Sequence, residues 1–148
     1  MALATLVSCS PISQHYNNVI PQSSNIIAQY SGTYACGQGT TGLELQVLSS
    51  EPSSPVQVVF NFVPIEANPD VPNGSFLMDG QFDLTGGTLD LRPQHWITRP
   101  AFYTMVGLSG SSIDGGVTFT GSVRGDLLDS LSCSTFRVKR LGSLDTGS

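Results

Sequence analysis

A period-two alternation of apolar and more polar residues runs through most of this chain from Gly32 onward, and it constrains the fold more than any other feature. In the segment TGLELQVLS, Leu43, Leu45 and Val47 alternate with Glu and Gln, which is the pattern of a β-strand with one buried face. The same alternation recurs in VQVVFNFVP, GSFLMDGQFDL, GTLDLRP, GVTFTGSVRG and CSTFRVKRL. The pattern therefore predicts strands over most of the chain.

Two further segments complete the predicted set of strands. GTYACG precedes the first alternating segment, and AFYTMVGLSG is almost wholly apolar, which predicts a central strand. Turn-forming residues separate the strands in the runs SSEPSSP, EANPDVPNG, TGG, LRPQHWITRP and SIDGG. Only GDLLDSLS, residues 125–132, predicts a short helix. About eight short strands with such turns predict an all-β fold, either an antiparallel sandwich or a small barrel.

The first part of the chain lacks both the alternation and charge. No Asp, Glu, Lys or Arg occurs before Glu44, and prolines interrupt any long element. Short apolar patches without charge fit an extended arm that binds a partner surface. We therefore expect an arm over residues 1–29, a β-domain over residues 30–141 and a tail over residues 142–148. The arm residues expected to contact a partner are Leu3, Leu6, Val7, Ile12, Tyr16, Val19, Ile20, Ile26 and Ile27.

A signal sequence is the alternative interpretation of the same segment. The residues LVSC, which end at Cys9, fit the lipobox of bacterial lipoproteins. However, no Lys or Arg precedes them, and the apolar run over residues 2–7 is shorter than the roughly 7–15 residues of a signal-peptide core. The arm is therefore the better interpretation of the sequence.

Composition limits the partners of the domain. The 148 residues suit one domain. Charged residues make up only 11% of the chain, against about 25% in typical soluble proteins. The formal net charge of −5 gives no attraction to nucleic acid or anionic lipid. No apolar run approaches the roughly 20 residues of a membrane-spanning helix, so we expect neither nucleic acid nor a membrane as a partner.

The chain carries few residues that are suited to catalysis. Its two histidines, His15 and His95, fall in the arm and in a predicted loop, and no CxxC, HxH or HExxH motif provides zinc ligands. GQGTTG resembles a phosphate-binding loop, but it lies between predicted strands and no lysine follows, which favours a tight β-connection. Asp79, Asp83 and Asp90 fit a solvent-facing sheet surface better than a calcium loop. We therefore expect no enzyme activity, no cofactor and no metal site.

Cys36 and Cys133 fall in the first and the last predicted strands. First and last strands are often neighbours in such folds, so a disulfide between them is geometrically feasible and would close a loop of about 100 residues. Two buried free thiols, the usual state in a reducing cytosol, explain the same pattern equally well. Both alternatives stay open at this point.

Trp96 and Ile97 lie in the predicted loop between Pro93 and Pro100. Aromatic residues in such loops serve either the protein core or a binding surface. Three interpretations are open: a plug at one end of the core, a contact with a protein partner, or a stacking platform for a sugar ring. The plug is the leading interpretation.

Three stretches of the domain resemble a known family. They are GTYACGQGTTGLEL, the long stretch from FNFVPIEANPDVPNG to AFYTMVGLSG, and CSTFRVKR. Together they resemble a small all-β domain that occurs in cyanobacterial proteins, over residues 30–140. This resemblance implies the β-fold and no particular chemistry, and the arm lies outside it.

The architecture as a whole, a compact β-domain with an uncharged arm, resembles viral cement proteins. This resemblance implies a capsid cement or decoration protein of a tailed phage, which would bind the major capsid protein or other shell subunits at the virion surface and form a dimer or trimer. The alternative hypothesis is a secreted or lipid-anchored bacterial β-sandwich module of the cell envelope that binds glycan or protein. An arm in contact with other chains would favour the first, and an acyl anchor on Cys9 the second.

Overall fold

The structure, a computed structural model, describes the following residues: 26–48, 56–85, 87–124 and 133–142. Within them the chain forms strands and turns and no helix. The strands are β1 (Ile26–Cys36), β2 (Gly39–Leu48), β3 (Val56–Val63), β4 (Gly74–Phe82), β5 (Thr88–Thr98), β6 (Gly107–Ser111), β7 (Thr118–Arg124) and β8 (Thr135–Arg140). The predicted helix at residues 125–132 and residues 143–148 of the predicted tail lie outside the described residues.

The eight strands form one closed antiparallel barrel in which each strand pairs with the next along the chain. The barrel closes where β1 pairs with β8, with Tyr34 opposite Phe136 and Tyr30 opposite Arg140. The all-β antiparallel prediction is confirmed, and of the two predicted arrangements the structure is the barrel. We call the end of the barrel at which β1 begins the lower end, and the end at which β1 finishes the upper end.

Apolar side chains fill the interior of the barrel. An eight-stranded barrel is just wide enough for side chains to fill it, and each strand sends every second residue inward. Most residues that the alternation predicts as inward are buried. Val56 and Leu84 are partly buried, and Val117, which precedes β7 at the lower rim, is half exposed. The largest fully buried side chains are Tyr30, Phe60, Phe62, Phe76, Phe119, Leu43, Leu45, Met78, Leu91, Leu108, Val47 and Val58.

Strand β5 is longer than the sequence predicted, because most of the run LRPQHWITRP is strand rather than loop. Proline is tolerated in strands at edges and at bulges, and Pro93 lies at both. The ladder between β5 and β6 ends at Leu91, and the register between β5 and β4 shifts between Pro93 and His95. The prolines therefore mark an irregular part of a strand, and the prediction of a loop at Trp96 was wrong.

The segment AFYTMV, predicted as the first part of a strand, belongs instead to the loop between β5 and β6. The N–H of Tyr103 donates to the carbonyl oxygen of Pro100 over 3.5 Å, which closes a turn. Phe102 has a φ of +67°, a value that no β-strand accommodates. Strand β6 begins only at Gly107. In a closed barrel no strand is central, so this part of the prediction was wrong as well.

Strand β1 begins at Ile26, so the predicted boundary after residue 29 lies too far along the chain. Ala28 is buried in the core, and the carbonyl oxygen of Gln29 accepts the N–H of Leu141 at 2.9 Å. Ile26 and Ile27, predicted as arm residues, therefore lie in a barrel strand. The alternation does not reveal this part of β1, because its inward position holds a small alanine.

A disulfide joins Cys36, the last residue of β1, to Cys133, which lies just before β8. The N–H of Ser134 donates to the carbonyl oxygen of Ala35 at 3.0 Å, so hydrogen bonding between the two segments continues beside the bond. Of the two alternatives, the structure therefore contains the disulfide. It spans a sequence separation of 97, and the chain-entropy model gives about 4–5 kcal/mol for a loop of this size.

Candidate binding surface

The predicted site residues are not brought together in one place. Ile26 and Ile27 lie at the lower end of the barrel, whereas Trp96 and Ile97 lie near the upper end of β5. The arm residues outside the described part of the chain are Leu3, Leu6, Val7, Ile12, Tyr16, Val19 and Ile20. Their predicted role in partner binding therefore stays a prediction.

Trp96 packs onto the top of the barrel core. Its ring centroid lies 5.4 Å from that of Phe76 and 6.2 Å from that of Phe62, both in edge-on geometry. The guanidinium of Arg99 lies over the indole, 5.6 Å from the ring centroid, within the range of a cation–π contact. Core rings hold the indole, and a cation covers one of its faces. Of the three interpretations, this geometry favours the plug over the sugar platform.

Trp96 belongs to an aromatic cluster that reaches from the core to the β5–β6 loop. Phe60 and Phe76 stack at 4.5 Å, and Tyr34 meets Phe60 edge-on at 5.2 Å. Tyr103 of the loop stacks on Phe62, with ring centroids 5.2 Å apart and planes 15° apart. Gly74 makes room for Phe62, because a Cβ at that position would overlap the ring. Tyr103 thus fixes the loop to the core.

Phe102, next to Tyr103, points away from the core. Its side chain is 101% exposed relative to an extended reference. The hydrogen bond from the Tyr103 N–H to the Pro100 carbonyl places Phe102 third in a four-residue turn, where its φ is +67°. That combination defines a type II turn, whose third position prefers Gly or Asn. The left-handed conformation costs a side chain roughly 1–2 kcal/mol, so the fold holds Phe102 in an unfavourable conformation without burying it.

A cavity of about 210 Å³ opens on one side of the β5–β6 loop. We call it the mouth pocket, and its lining residues are Tyr34, Cys36, Gln38, Phe102, Tyr103, Thr104 and Val106. Burial raises the pKa of the Tyr34 hydroxyl far above its usual range, and the nearby Tyr103 adds to the rise. The hydroxyl therefore keeps its proton at any physiological pH and lines the pocket as a neutral group.

Hydrogen bonds fix the polar side of the mouth pocket. The Nε2 of Gln38 donates to the Tyr34 hydroxyl at 3.3 Å and to Thr41 Oγ1 at 3.1 Å. Asn68, from the loop between β3 and β4, donates from Nδ2 to the carbonyl oxygens of Gln38 at 2.8 Å and of Thr40 at 3.0 Å. The β1–β2 hairpin and the β3–β4 loop are thereby tied together, and the predicted tight β-connection at GQGTTG is confirmed.

A second, larger cavity of about 490 Å³ opens on the other side of the same loop. We call it the arginine groove, and its lining residues are Asp90, Leu91, Arg92, Pro93, Met105, Gly107 and Arg124. It forms where β5 and β6 separate beyond the pair Leu91 and Leu108. Pro93 and Met105 contribute its apolar floor, and Asp90, Arg92 and Arg124 are its charged lining residues.

In the described part of the chain, no group of three or more His, Cys, Asp and Glu residues is placed to hold a metal ion. Cys36 is in the disulfide, and His95 is exposed on β5. The expectation that the protein is not an enzyme stays a prediction.

Among the described residues, no helix has the length and apolar character needed to cross a membrane.

Comparison with known proteins finds no match for this chain among protein-family models, curated proteins or solved structures. The resemblances to the cyanobacterial domain and to viral cement proteins therefore stay predictions.

Sequence reasoning missed Phe102 and the two cavities beside its loop. The apolar run AFYTMV had the composition of a buried strand, which concealed a turn. The available signal was Pro100 directly before the run, because proline favours the start of a turn. The placement of Arg92 and Arg124 on one groove has no local signal in the sequence, since it depends on strand register.

Proposed function

We propose that this protein is a non-catalytic binding module that docks onto a protein partner through the β5–β6 loop, with Phe102 as the central contact. The module acts in an oxidising environment, at a cell envelope or outside the cell. This is the protein-binding form of the alternative hypothesis that the sequence raised.

The exposure and conformation of Phe102 carry the proposal. A fully exposed phenylalanine contributes no burial to its own fold, and its left-handed φ of +67° costs stability. Burying such a side chain in a partner is worth about 1.5–3 kcal/mol. Aromatic residues at the centre of an interface often dominate its binding energy. A residue that costs the free protein stability and offers an apolar contact to another molecule is best explained by binding.

The rigidity of the loop supports the same proposal. Tyr103 stacks on Phe62 within the core, so the residue next to Phe102 is held in place. A preorganised contact loses less conformational entropy when it binds than a mobile one does. The barrel interior is filled with side chains, so binding at the surface suits this protein better than enclosure of a ligand inside the barrel.

The disulfide between Cys36 and Cys133 supports the environment that we propose. Disulfides persist in secreted proteins, in the bacterial periplasm and on cell or virion surfaces, and are rare in the cytosol. The bond lies beside the mouth pocket, which Cys36 helps to line. It therefore stabilises the end of the barrel that carries the proposed contact.

The capsid-cement hypothesis is a separate prediction. It depends mainly on residues 1–25, which lie outside the described residues, and the disulfide fits a virion surface as well as a cell envelope. No described residue favours a capsid over another protein partner.

Affinity capture tests the proposal with three tagged proteins: the wild type, Phe102→Gly and Ile113→Gly. Ile113 is a matched control, because it is equally exposed but lies in the β6–β7 loop at the lower end. The bait proteins are incubated with extract and culture medium of the organism that makes the protein, and captured proteins are quantified by mass spectrometry.

We expect a partner that the wild type and Ile113→Gly retain and that Phe102→Gly loses. The removal of a central aromatic contact costs about 2 kcal/mol, which is about a 30-fold weaker dissociation constant. Equal capture by all three proteins would show that Phe102 is not the contact. Equal loss with both variants would point to nonspecific apolar adhesion and would also contradict the proposal.

A further inference from the structure

Strand register places Arg92, Gly107 and Arg124 in one row across three strands. Gly107 of β6 is paired with Arg124 of β7. On the other side, Leu91 of β5 is paired with Leu108 of β6, so the next position along β5, Arg92, lies beside Gly107. Leu91 and Leu108 point into the core. The row that follows them therefore faces outward, because successive side chains alternate between the two faces of a sheet.

The middle position of this row has no side chain. It is held by Gly107, where a Cβ would lie 2.8 Å from the carbonyl oxygen of Leu91. All three residues of the row line the arginine groove. Arg92 and Arg124 therefore border the same groove.

Two arginines and one aspartate line the groove. The chain has only six Lys and Arg residues against eleven Asp and Glu residues, yet two of the six line this one groove. Two carboxylates face the same surface: Asp90 on the groove rim, and Asp79 in register with Arg92. Asp79 accepts a hydrogen bond from Gln94 at 2.8 Å. No ion pair of either arginine is found among the described residues.

We infer that the arginine groove binds a carboxylate side chain of the protein partner, on a segment that also places an apolar side chain on the groove floor. Pro93 and Met105 provide that floor, and the planar guanidinium groups suit carboxylate oxygens. This inference rests on the proposed function and specifies its chemistry: the partner presents an acidic and apolar segment beside the site that receives Phe102.

The groove can be tested without knowing the partner. The probe is the peptide acetyl-Leu-Asp-Leu-Asp-Leu-amide, titrated into the full-length protein and followed by amide and arginine Nε–H shifts in NMR spectra. Its neutral counterpart, with Asn in place of Asp, and inorganic phosphate are titrated in parallel. The protein variants are Arg92→Gln, Arg124→Gln and Phe102→Gly. Arg137→Gln is the matched control, because it removes the same charge from an exposed position on β8.

We expect the acidic peptide to shift signals of β5, β6 and β7, and to bind at least about tenfold more weakly to Arg92→Gln and to Arg124→Gln, because each loses a charge-assisted hydrogen bond. Arg137→Gln should bind as the wild type does, and higher salt should weaken binding. Equal binding of the neutral peptide, equal weakening by Arg137→Gln, or phosphate binding as tight as that of the peptide would each overturn the inference.

Two further outcomes separate this inference from the proposed function. If the arginine variants lose the peptide but still capture the natural partner as the wild type does, the groove does not serve that partner and the inference fails alone. Asp126 and Asp129 follow Arg124 closely in the sequence. If peptide binding appears only after both are changed to Asn, the groove serves the chain's own acidic residues, which also overturns the inference. Loss of partner capture in Phe102→Gly tests the proposed function independently.

Discussion

The loops at the two ends of strand β6 present equally exposed apolar side chains and are built in opposite ways. In the lower loop, between β6 and β7, Ile113 is fully exposed, but Gly115 and Gly116 take the positive φ values, +73° and +93°. In the upper loop, between β5 and β6, Phe102 is both the exposed residue and the one with positive φ. One loop leaves the unfavourable conformation to glycine, and the other imposes it on a large side chain.

The stabilising contacts of the two loops differ as well. The lower loop uses polar turn contacts: Ser112 donates to Asp114 at 2.7 Å, and Asp114 accepts the N–H of Thr118 at 2.8 Å. The Tyr30 hydroxyl donates to the Gly116 carbonyl from inside the barrel at 2.7 Å. The upper loop depends on the stacking of Tyr103 on Phe62. The lower loop thus has the chemistry of a stable turn, whereas the upper loop has the features expected of a contact surface.

The largest expected effect concerns the covalent bond at the upper end. Replacement of both Cys36 and Cys133 by Ser should lower the free energy of unfolding by about 4 kcal/mol, because the unfolded chain regains the entropy of the open loop. Denaturant unfolding of the wild type and the double variant measures it. Addition of dithiothreitol should destabilise only the wild type. A decrease in the free energy of unfolding below about 1 kcal/mol would show that the disulfide contributes little to the stability of the upper end.

Phe102→Gly gives the sharpest contrast between the two loops. Relief of the left-handed conformation should raise the free energy of unfolding by roughly 1–2 kcal/mol. The greater flexibility of the unfolded chain should lower it again by about 0.5–1 kcal/mol. We therefore expect a net stabilisation of up to about 1 kcal/mol. Ile113→Gly should destabilise the protein slightly, because it relieves no left-handed conformation and only makes the unfolded chain more flexible. Parallel thermal unfolding of both variants decides the question. A destabilised Phe102→Gly would mean that the side chain supports the loop after all.

Asp114 should give the lower loop a pH dependence. Hydrogen bonds from the Thr118 N–H and Ser112 lower the pKa of Asp114 from 3.8 to about 2. A lowered folded-state pKa stabilises the protein above pH 3.8, and this stabilisation disappears as the pH falls through 3.8 towards 2. The difference in melting temperature between wild type and Asp114→Asn should therefore be present at pH 5 and shrink towards pH 2. Glu66→Gln is the control for removal of an exposed charge.

The smallest expected effect on stability comes from deletion of residues 1–25. The barrel strands from Ile26 onward contain the buried core, so the truncated protein should unfold at nearly the same temperature as the full chain. The truncation also tests the arm hypothesis, through its binding to assembled phage shells or to any captured partner. Unchanged binding would contradict a role for the arm, and an unfolded truncation would assign the arm to the core.

The sequence was informative wherever structure is local. The alternation of Leu43, Leu45 and Val47 predicted a strand and its buried face correctly, because side-chain direction in a strand depends only on the parity of the position. The hairpin at GQGTTG and the turn at SIDGG were predicted for a similar reason, since a few neighbouring residues decide a turn. The start of β1 at Ile26 and the strand through Pro93 were not predicted, because small residues and prolines weaken the local signal.

The features that only the tertiary structure determined depend on residues that are far apart in the sequence. The sequence determined about eight antiparallel strands, but whether they formed a sandwich or a barrel depended on the pairing of Tyr34 with Phe136, which lie at opposite ends of the domain. The choice between a disulfide and free thiols followed from that same closure. The row of Arg92, Gly107 and Arg124 exists only in one strand register, and a shift of β5 or of β7 by one residue would turn the arginine of that strand inward. Alternation determines which residues a strand buries, whereas the neighbours of an exposed residue are determined by closure and register.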